Sequence, residues 1–278
     1  MSDTMCVAMN PEQTIGTRAF GRLQRFFREA SGIALSSQKQ ALVASRLRKR
    51  LVHHRLPDFD AYCDLLLSPE AEEERQHAVD LLTTNETYFF REPLHFELLA
   101  DWVLPSITRR PLRLWSAACS SGEECYSLAM QLDHVVGREG WDLVGTDLSQ
   151  RMVQHARRGL YRQARLDAMP RHFLRSYCRR GTGQYEGYLL IERALRERVS
   201  FLQHNLFDSR PTLGRFDVVF LRNVLIYFDA AAKREIVLRV IERMPVGGWL
   251  FIGRSESLQE LDLPLRAEGH SVYRVVSA

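Results

Sequence analysis

The sequence predicts an α/β domain of the nucleotide-binding kind, preceded by a small helical domain and interrupted by a short antiparallel insertion. Three observations carry this expectation. Apolar residues recur at helical spacing from about residue 14 to 82. After Pro111, apolar runs alternate with helical segments, the pattern of a parallel sheet covered on both faces. Between Gly181 and Phe201 that alternation gives way to turn chemistry and short apolar runs.

Taken in order, Phe20, Leu23, Phe26 and Phe27 form a first helical stripe, Val43, Leu47 and Leu51 a second, and Tyr62, Leu65 and Leu66 a third. The run "SPEAEEERQHAVDLLTTNE" predicts a further helix, with Ser68 as its cap ahead of Pro69. A helical domain over 1–82 and a second domain over 83–278 follow. In the second, "LRLWSAA" is the first strand and "EECYSLAMQLDHVV" its helix; "WDLVGTD" and "LSQRMVQHARRGLY" are the next pair. "FDVVFLRNV" and "WLFIGRS" are later strands around the helix "DAAAKREIVLRVIERM", and "SVYRVVS" reads as a closing antiparallel edge. Within the break, "YLLIE" and "RVSFLQ" read as short strands joined by "RALRE", a β-subdomain over 181–201. Structureless loops rarely exceed about 12 to 15 residues in a compact domain, which favours this reading.

A chain of 278 residues at 45% hydrophobic and 26% charged has room for one large core or two smaller ones. No segment approaches the roughly 20 apolar residues of a membrane span. The start "MSDTMCVAMNPEQT" has neither the basic head nor the apolar stretch of a secretory leader, so a cytoplasmic location is expected, without membrane insertion. Five cysteines without a CxxC pair and nine histidines without an HExxH pair predict reduced thiols and no metal. From Arg18 to Arg55 ten Lys or Arg residues face one acid, Glu29, which points to an acidic partner surface, either nucleic acid or protein.

The stretch "WSAACSSGEE", Trp115 to Glu124, fills the first strand-to-helix turn with a single glycine, Gly122. A dinucleotide's pyrophosphate needs close backbone approach through several glycines, and Glu123 and Glu124 stand where its phosphates would sit. Asp147 in "VGTDLS" ends the second strand, where an acid takes ribose hydroxyls; capping the next helix is its competing role, which Ser149 equally offers. A cationic ligand without phosphate, S-adenosylmethionine, resolves the conflict. The two glutamates also suit the positive end of the helix dipole, and the two roles are compatible.

Two further stretches carry chemistry. "TTNETYFFRE", Thr83 to Glu92, is either a capped helix start with an aromatic staple or a place where Arg91 holds a carboxylate against Phe89 and Phe90. "FLRNVLIYFD" leaves a central strand through Arg222 and Asn223, with Tyr227 in the turn that follows. Nucleic-acid amino-methyltransferases carry an Asn/Asp-Pro-Pro-Tyr/Phe motif at this place, and this stretch contains no proline.

Together "TTNETYFFRE", "WSAACSSGEECYSLAM", "TDLSQRMVQHARRGLY", "RGTGQYEGYL", "FDVVFLRNVLIYFD" and "GRSESL" give a chain that resembles the chemotaxis receptor glutamate O-methyltransferases, the CheR family. The resemblance implies a Rossmann-like S-adenosylmethionine-dependent methyltransferase domain that converts receptor glutamates to methyl esters, releasing S-adenosylhomocysteine, in sensory adaptation. It carries cofactor contacts over to Asn85, Thr87, Arg91, Glu123, Asp147, Asn205, Leu206, Arg222 and Asn223, and it matches Tyr227 to the family's active-site tyrosine. The 181–201 insertion corresponds to the β-subdomain that in some members docks a receptor C-terminal peptide. Cys125 departs from the proline common at its place.

A glutamate of ordinary pKa, about 4.3, is already ionised near neutrality, so methyl transfer to it needs no general base and leaves positioning to Arg91 and Tyr227. Arg91 would orient either the attacking carboxylate or that of the cofactor. Arg46, Lys49, Arg50 and His53 follow i, i+3, i+4, i+7 spacing beside the Val43, Leu47, Leu51 stripe, which gives a cationic face for a glutamate-rich receptor helix; a solvated surface is its ordinary alternative. The competing classes are a nucleic-acid methyltransferase and a non-catalytic module that keeps the cofactor pocket. Nothing in the sequence demands more than a monomer.

Overall fold

A computed structural model of the chain describes residues 14–166, 168–208 and 213–277; Cys6 and the rest of residues 1–13 lie outside the described residues. The chain divides into two compact units, one ending at Thr84 and one beginning at Asn85. Among the described residues no helix is long and apolar enough to cross a membrane.

Among the described residues the first unit holds four α-helices: α1 (Thr17–Ser31), α2 (Gln40–His53), α3 (Phe59–Leu67) and α4 (Glu72–Leu82). The three apolar stripes are buried as the spacing requires, with Leu65 half-buried at the margin of the third. Ser68 does not open α4. It closes α3, its N–H donating to the Leu65 carbonyl at 3.0 Å, and the turn through Pro69 sets the helix start at Glu72, after Ala71. A polar cluster sits inside this unit. Glu74, 6% exposed, accepts from Arg50 Nε at 2.9 Å and Tyr62 Oη at 2.6 Å, and pairs with His54 Nε2 at 2.8 Å. Burial alone would raise the Glu74 carboxyl; Arg50, Tyr62 and His54 outweigh it and hold the group down at about 2.

The second unit opens with α5 (Leu94–Leu98), which runs through a π-type turn into α6 (Leu104–Ser106). There follow β1 (Leu112–Ala117), α7 (Glu123–Val135), β2 (Trp141–Asp147), α8 (Gln150–Arg158), β3 (Leu160–Arg162), α9 (Arg171–Tyr177), β4 (Cys178–Arg180) and β5 (Tyr188–Ile191). Then come α10 (Arg193–Arg196), β6 (Val199–Gln203), β7 (Val218–Leu221), α11 (Ala230–Ile241), β8 (Trp249–Ile252), β9 (Leu265–Gly269) and β10 (Val272–Val275). The main sheet has the order β6-β2-β1-β7-β8-β10-β9; its first five strands are parallel, and β10 is antiparallel to both β8 and β9. Strands β7 and β8 are buried at every residue, as expected of central strands covered on both faces.

Two expectations change here. The small antiparallel sheet has the order β3-β5-β4 and so begins at Leu160, while "RVSFLQ" leaves it altogether: as β6 it pairs in parallel with β2, Leu143 opposite Val199. The insertion therefore spans 160–191 rather than 181–201. Strands of three residues such as β3 and β4 are too short to display the period of two that reveals a strand. "SVYRVVS" is not the edge either, because β9, whose charged residues alternate weakly, pairs outside it.

The strand order reverses between β1 and β7, and in open α/β sheets the crevice beyond the carboxyl ends at that point receives the ligand. Close packing fixes what surrounds it. A Cβ at Gly145 would stand 2.5 Å from Cys125 Sγ and 2.9 Å from the Phe201 ring, so α7 lies hard against β2 at Cys125. Phe220 of β7 stacks on Phe251 of β8 with centroids 4.4 Å apart.

Candidate active site

The loop after β1 and the end of β2 are tied by one carboxylate. Asp147 accepts from the Ser120 N–H at 2.8 Å through Oδ2 and from the Ser149 N–H at 2.9 Å through Oδ1. Ser149 is the residue that caps α8, accepting from the Met152 N–H at 3.3 Å, so the capping alternative for Asp147 goes to the serine. Ser120 Oγ donates to the Asn85 carbonyl at 3.1 Å, and the His204 N–H donates to the Asp147 carbonyl at 2.9 Å. Asn85 and the Asn205–Leu206 turn are thereby gathered around Asp147; Thr87 is half-buried nearby in sequence.

Gly122 has φ +95°, and a Cβ there would meet the Ala156 Cβ at 2.7 Å and the Tyr161 hydroxyl at 3.0 Å. The loop's one glycine thus serves the packing of α7 against α8 rather than a phosphate. Glu123 is fully buried and accepts from Ser121 Oγ at 2.6 Å. Glu124 accepts from Ser116 Oγ at 2.8 Å and pairs with Arg222 Nε at 3.1 Å.

Arg222, 5% exposed, connects three segments. Besides Glu124, its Nη2 donates to the Arg91 carbonyl at 2.5 Å, and its Nη1 donates to His95 Nδ1 at 3.1 Å. Burial and the Arg222 charge both lower the His95 pKa, so the ring is neutral near pH 7, with Nε2–H donating to the His270 carbonyl at 2.8 Å. A neutral ring makes no ion pair with Glu92, 3.4 Å away. Burial pushes Glu124 up even against Arg222, whereas Glu92, also raised by burial, is brought below its usual range by Arg222, Asn223 and the Arg254 N–H. Asn223 has φ +56°; its Nδ2 donates to Glu92 Oε1 at 3.1 Å and its N–H to Glu256 Oε2 at 2.9 Å.

Arg91 is half-buried; its Nη1 donates to the Glu86 carbonyl at 3.0 Å, and its guanidinium lies 5.7 Å from the Tyr88 ring centroid. Tyr227 is half-buried in the single 3-10 turn Leu225–Tyr227 that follows Asn223. Among the described residues nine non-glycine residues have positive φ, and five of them belong to this region: Phe90, Glu92, Ala118, Ser120 and Asn223. Backbone held in sparsely populated conformations concentrates where a site is being shaped.

Comparison with known proteins agrees with this geometry. The CheR methyltransferase all-alpha domain matches residues 18–83, and the CheR methyltransferase SAM binding domain matches residues 85–273. The chain belongs to the CheR methyltransferase family. A chemotaxis protein methyltransferase of Escherichia coli K12 is 36% identical over 97% of this chain and 95% of its own length. Chemotaxis protein methyltransferase 1 of Pseudomonas aeruginosa is 39% identical over 85% of this chain and 89% of its own, and a Pseudomonas putida relative is 37% identical over 88% and 92%.

As a CheR methyltransferase the protein is an S-adenosylmethionine-dependent enzyme, and the donor set fits that cofactor. An acid closes the helix start, the sole glycine is committed to packing, and a rigidly held carboxylate ends β2; this suits a cationic, ribose-bearing ligand and repels a phosphate. Arg46, Lys49, Arg50 and His53 all lie on α2 of the helical unit. Arg46 donates to the Leu82 and Thr83 carbonyls at 2.9 and 3.1 Å and Arg50 is bound to Glu74, while Lys49 and His53 are exposed. Sequence reasoning passed over His95, Glu92 and Glu256 as members of the site. Glu92 and Glu256 lie inside quoted motifs, but a glutamate's reach across the chain has no periodic signature.

Proposed function

We propose that this CheR methyltransferase transfers the methyl group of S-adenosylmethionine to glutamate side chains of chemoreceptors, giving methyl esters in sensory adaptation. The observation that supports the reading is the Asp147–Ser120–Asn85 connection at the switch point, which links two of the proposed cofactor contacts. The cofactor supplies an electrophilic methyl on a sulfonium. Asp147, Asn85, Thr87, Asn205, Leu206 and Asn223 are its proposed contacts, with Glu123 behind the loop; Arg222 acts through the segments it holds.

The chain's residues need only align a carboxylate that is already ionised and keep water from it. Tyr227, half-buried at the end of the 3-10 turn after β7, is the residue proposed for the reacting face. Arg91, whose backbone is tied to Arg222 and whose guanidinium donates to the Glu86 carbonyl, is the proposed residue that orients a carboxylate. The exposed residues of α2, Lys49 and His53, and the small β3-β5-β4 sheet are the proposed contacts for receptor helices and for a receptor C-terminal peptide. A monomer acting in the cytoplasm suffices for this role, and the proline-free turn after β7 argues against nucleic acid as substrate.

The test is methyl transfer from labelled cofactor to receptor cytoplasmic fragments, read as base-labile methanol. Wild type should transfer; Tyr227→Phe and Arg91→Ala should each lower kcat by about ten- to a hundredfold. Normal transfer by both variants would sink the assignment.

A further inference from the structure

We infer that Glu256 is a positioning residue for methyl transfer, the group that holds Asn223 and the Tyr227 turn in their working conformation. The inference rests on the assignment of Tyr227 to the active site. Glu256 is 8% exposed, and its carboxylate collects three backbone N–H groups from two segments. Oε2 accepts from Gly253 at 2.6 Å and from Asn223 at 2.9 Å, and Oε1 accepts from Ile226 at 3.3 Å. The first donor belongs to the loop after β8, and the other two flank the start of the turn after β7.

The turn is closed by the Tyr227 and Phe228 N–H bonds to the Val224 and Leu225 carbonyls and packed through Leu225, and Glu256 ties its entry to the loop after β8. Asn223 sits at φ +56°, unfavourable for a residue with a side chain, and the 3-10 turn Leu225–Tyr227 is a single turn with no side-chain cap. Gly253 and Asn223 lie just beyond the carboxyl ends of β8 and β7, and Ile226 lies in the 3-10 turn itself, so Glu256 accepts backbone N–H groups of the strand ends and of the turn's first residues. Ile226, beside Tyr227, is 49% exposed, so packing does not anchor it. Gly253 makes the approach possible: a Cβ there would stand 2.5 Å from Asn223 Nδ2, 2.8 Å from Glu256 Oε2 and 2.9 Å from the Asn223 nitrogen. Glu92 completes the clamp by accepting from Asn223 Nδ2 at 3.1 Å and from the Arg254 N–H at 3.3 Å. The motif "GRSESL" is thus a carboxylate delivered back onto the neighbouring strand end.

Glu256→Gln keeps the size of the side chain but turns one acceptor into a donor facing an N–H. Glu256→Asp withdraws the carboxylate by one methylene and serves as the second variant should the first fold poorly. In the full-length protein, amide hydrogen exchange at Asn223 and Ile226 should accelerate by about tenfold or more in either variant. With receptor fragments kcat should fall by about tenfold while both KM values stay within about threefold. Losses from Glu256→Gln and Tyr227→Phe should be less than additive, because both act through one side chain. Unchanged exchange at the two amides, unchanged kcat, or additive losses each overturn the inference. Absence of methyl transfer in wild type would instead overturn the proposed function, and the exchange measurement would still decide whether Glu256 holds the turn.

Discussion

The two units each bury a carboxylate against an arginine, and they do so under opposite backbone conditions. In the helical unit Glu74 is met by Arg50, Tyr62 and His54, and its own backbone in α4 and those of Arg50 and Tyr62 are helical. At the carboxyl ends of β1, β7 and β8, Glu124, Glu92 and Glu256 surround Arg222 and Asn223 among residues forced to positive φ. The same chemistry therefore does two jobs. Glu74 organises a relaxed core, whereas the second group spends its hydrogen bonds on a conformation the chain would otherwise avoid.

Arg222→Met is the most severe way to break the comparison. It leaves Glu124 buried without its cation and the Arg91 carbonyl without its donor. Removing one partner of a buried ion pair costs about 3–5 kcal/mol, and this loss should appear in denaturant unfolding followed by tryptophan fluorescence. All four tryptophans, Trp102, Trp115, Trp141 and Trp249, lie in the α/β unit, so the signal reports on it alone. Methyl transfer should be abolished. A stable, active Arg222→Met protein would mean that the cluster at the strand ends is no more than surface chemistry.

Glu74→Gln probes the other side, with a smaller effect that depends on pH. The folded-state pKa of Glu74 lies at about 2, below its ordinary value of 4.5. A depressed carboxyl contributes stability that is present above the unfolded value and is lost as pH falls through the folded one. The variant should be less stable than wild type by on the order of 2 kcal/mol at pH 7, read in far-ultraviolet circular dichroism. That gap should close between about pH 4.5 and 2 as wild-type Glu74 protonates. A gap that persists at pH 2 would show that shape rather than charge makes the cluster.

The contrast also explains which parts were legible in the sequence. Periodic features were: the stripes of α1 and α2, the alternation that gives β1, β2, β7 and β8, and Asp147 at a strand end. The loop "WSAACSSGEE" announced its ligand by what it lacked. Illegible were features set by single long-range contacts, such as the Arg222 bond to His95 or the Glu256 bonds to Asn223 and Ile226, because one hydrogen bond imposes no pattern on neighbouring residues. The extent of the small sheet was misread for a related reason: β3 and β4 have three residues each, and partner choice rather than local sequence sends β6 to the main sheet.

The mildest experiment separates the two uses of charge within one helix. Spacing alone grouped Arg46, Lys49, Arg50 and His53 as a single cationic face of α2, but Arg46 holds the carbonyls of Leu82 and Thr83 and Arg50 holds Glu74, which leaves Lys49 and His53 presented to solvent. Arg50→Ala should therefore act on stability, and Lys49→Ala on encounter with an acidic receptor helix. For Lys49→Ala the KM for receptor fragments should rise by about two- to fivefold at low salt, with kcat and melting temperature unchanged, and the effect should fade towards 0.5 M salt as exposed charges are screened. An Arg50→Ala protein of normal stability with a raised KM would reverse the division, assigning receptor contact to the buried cluster and leaving the exposed pair as solvated surface.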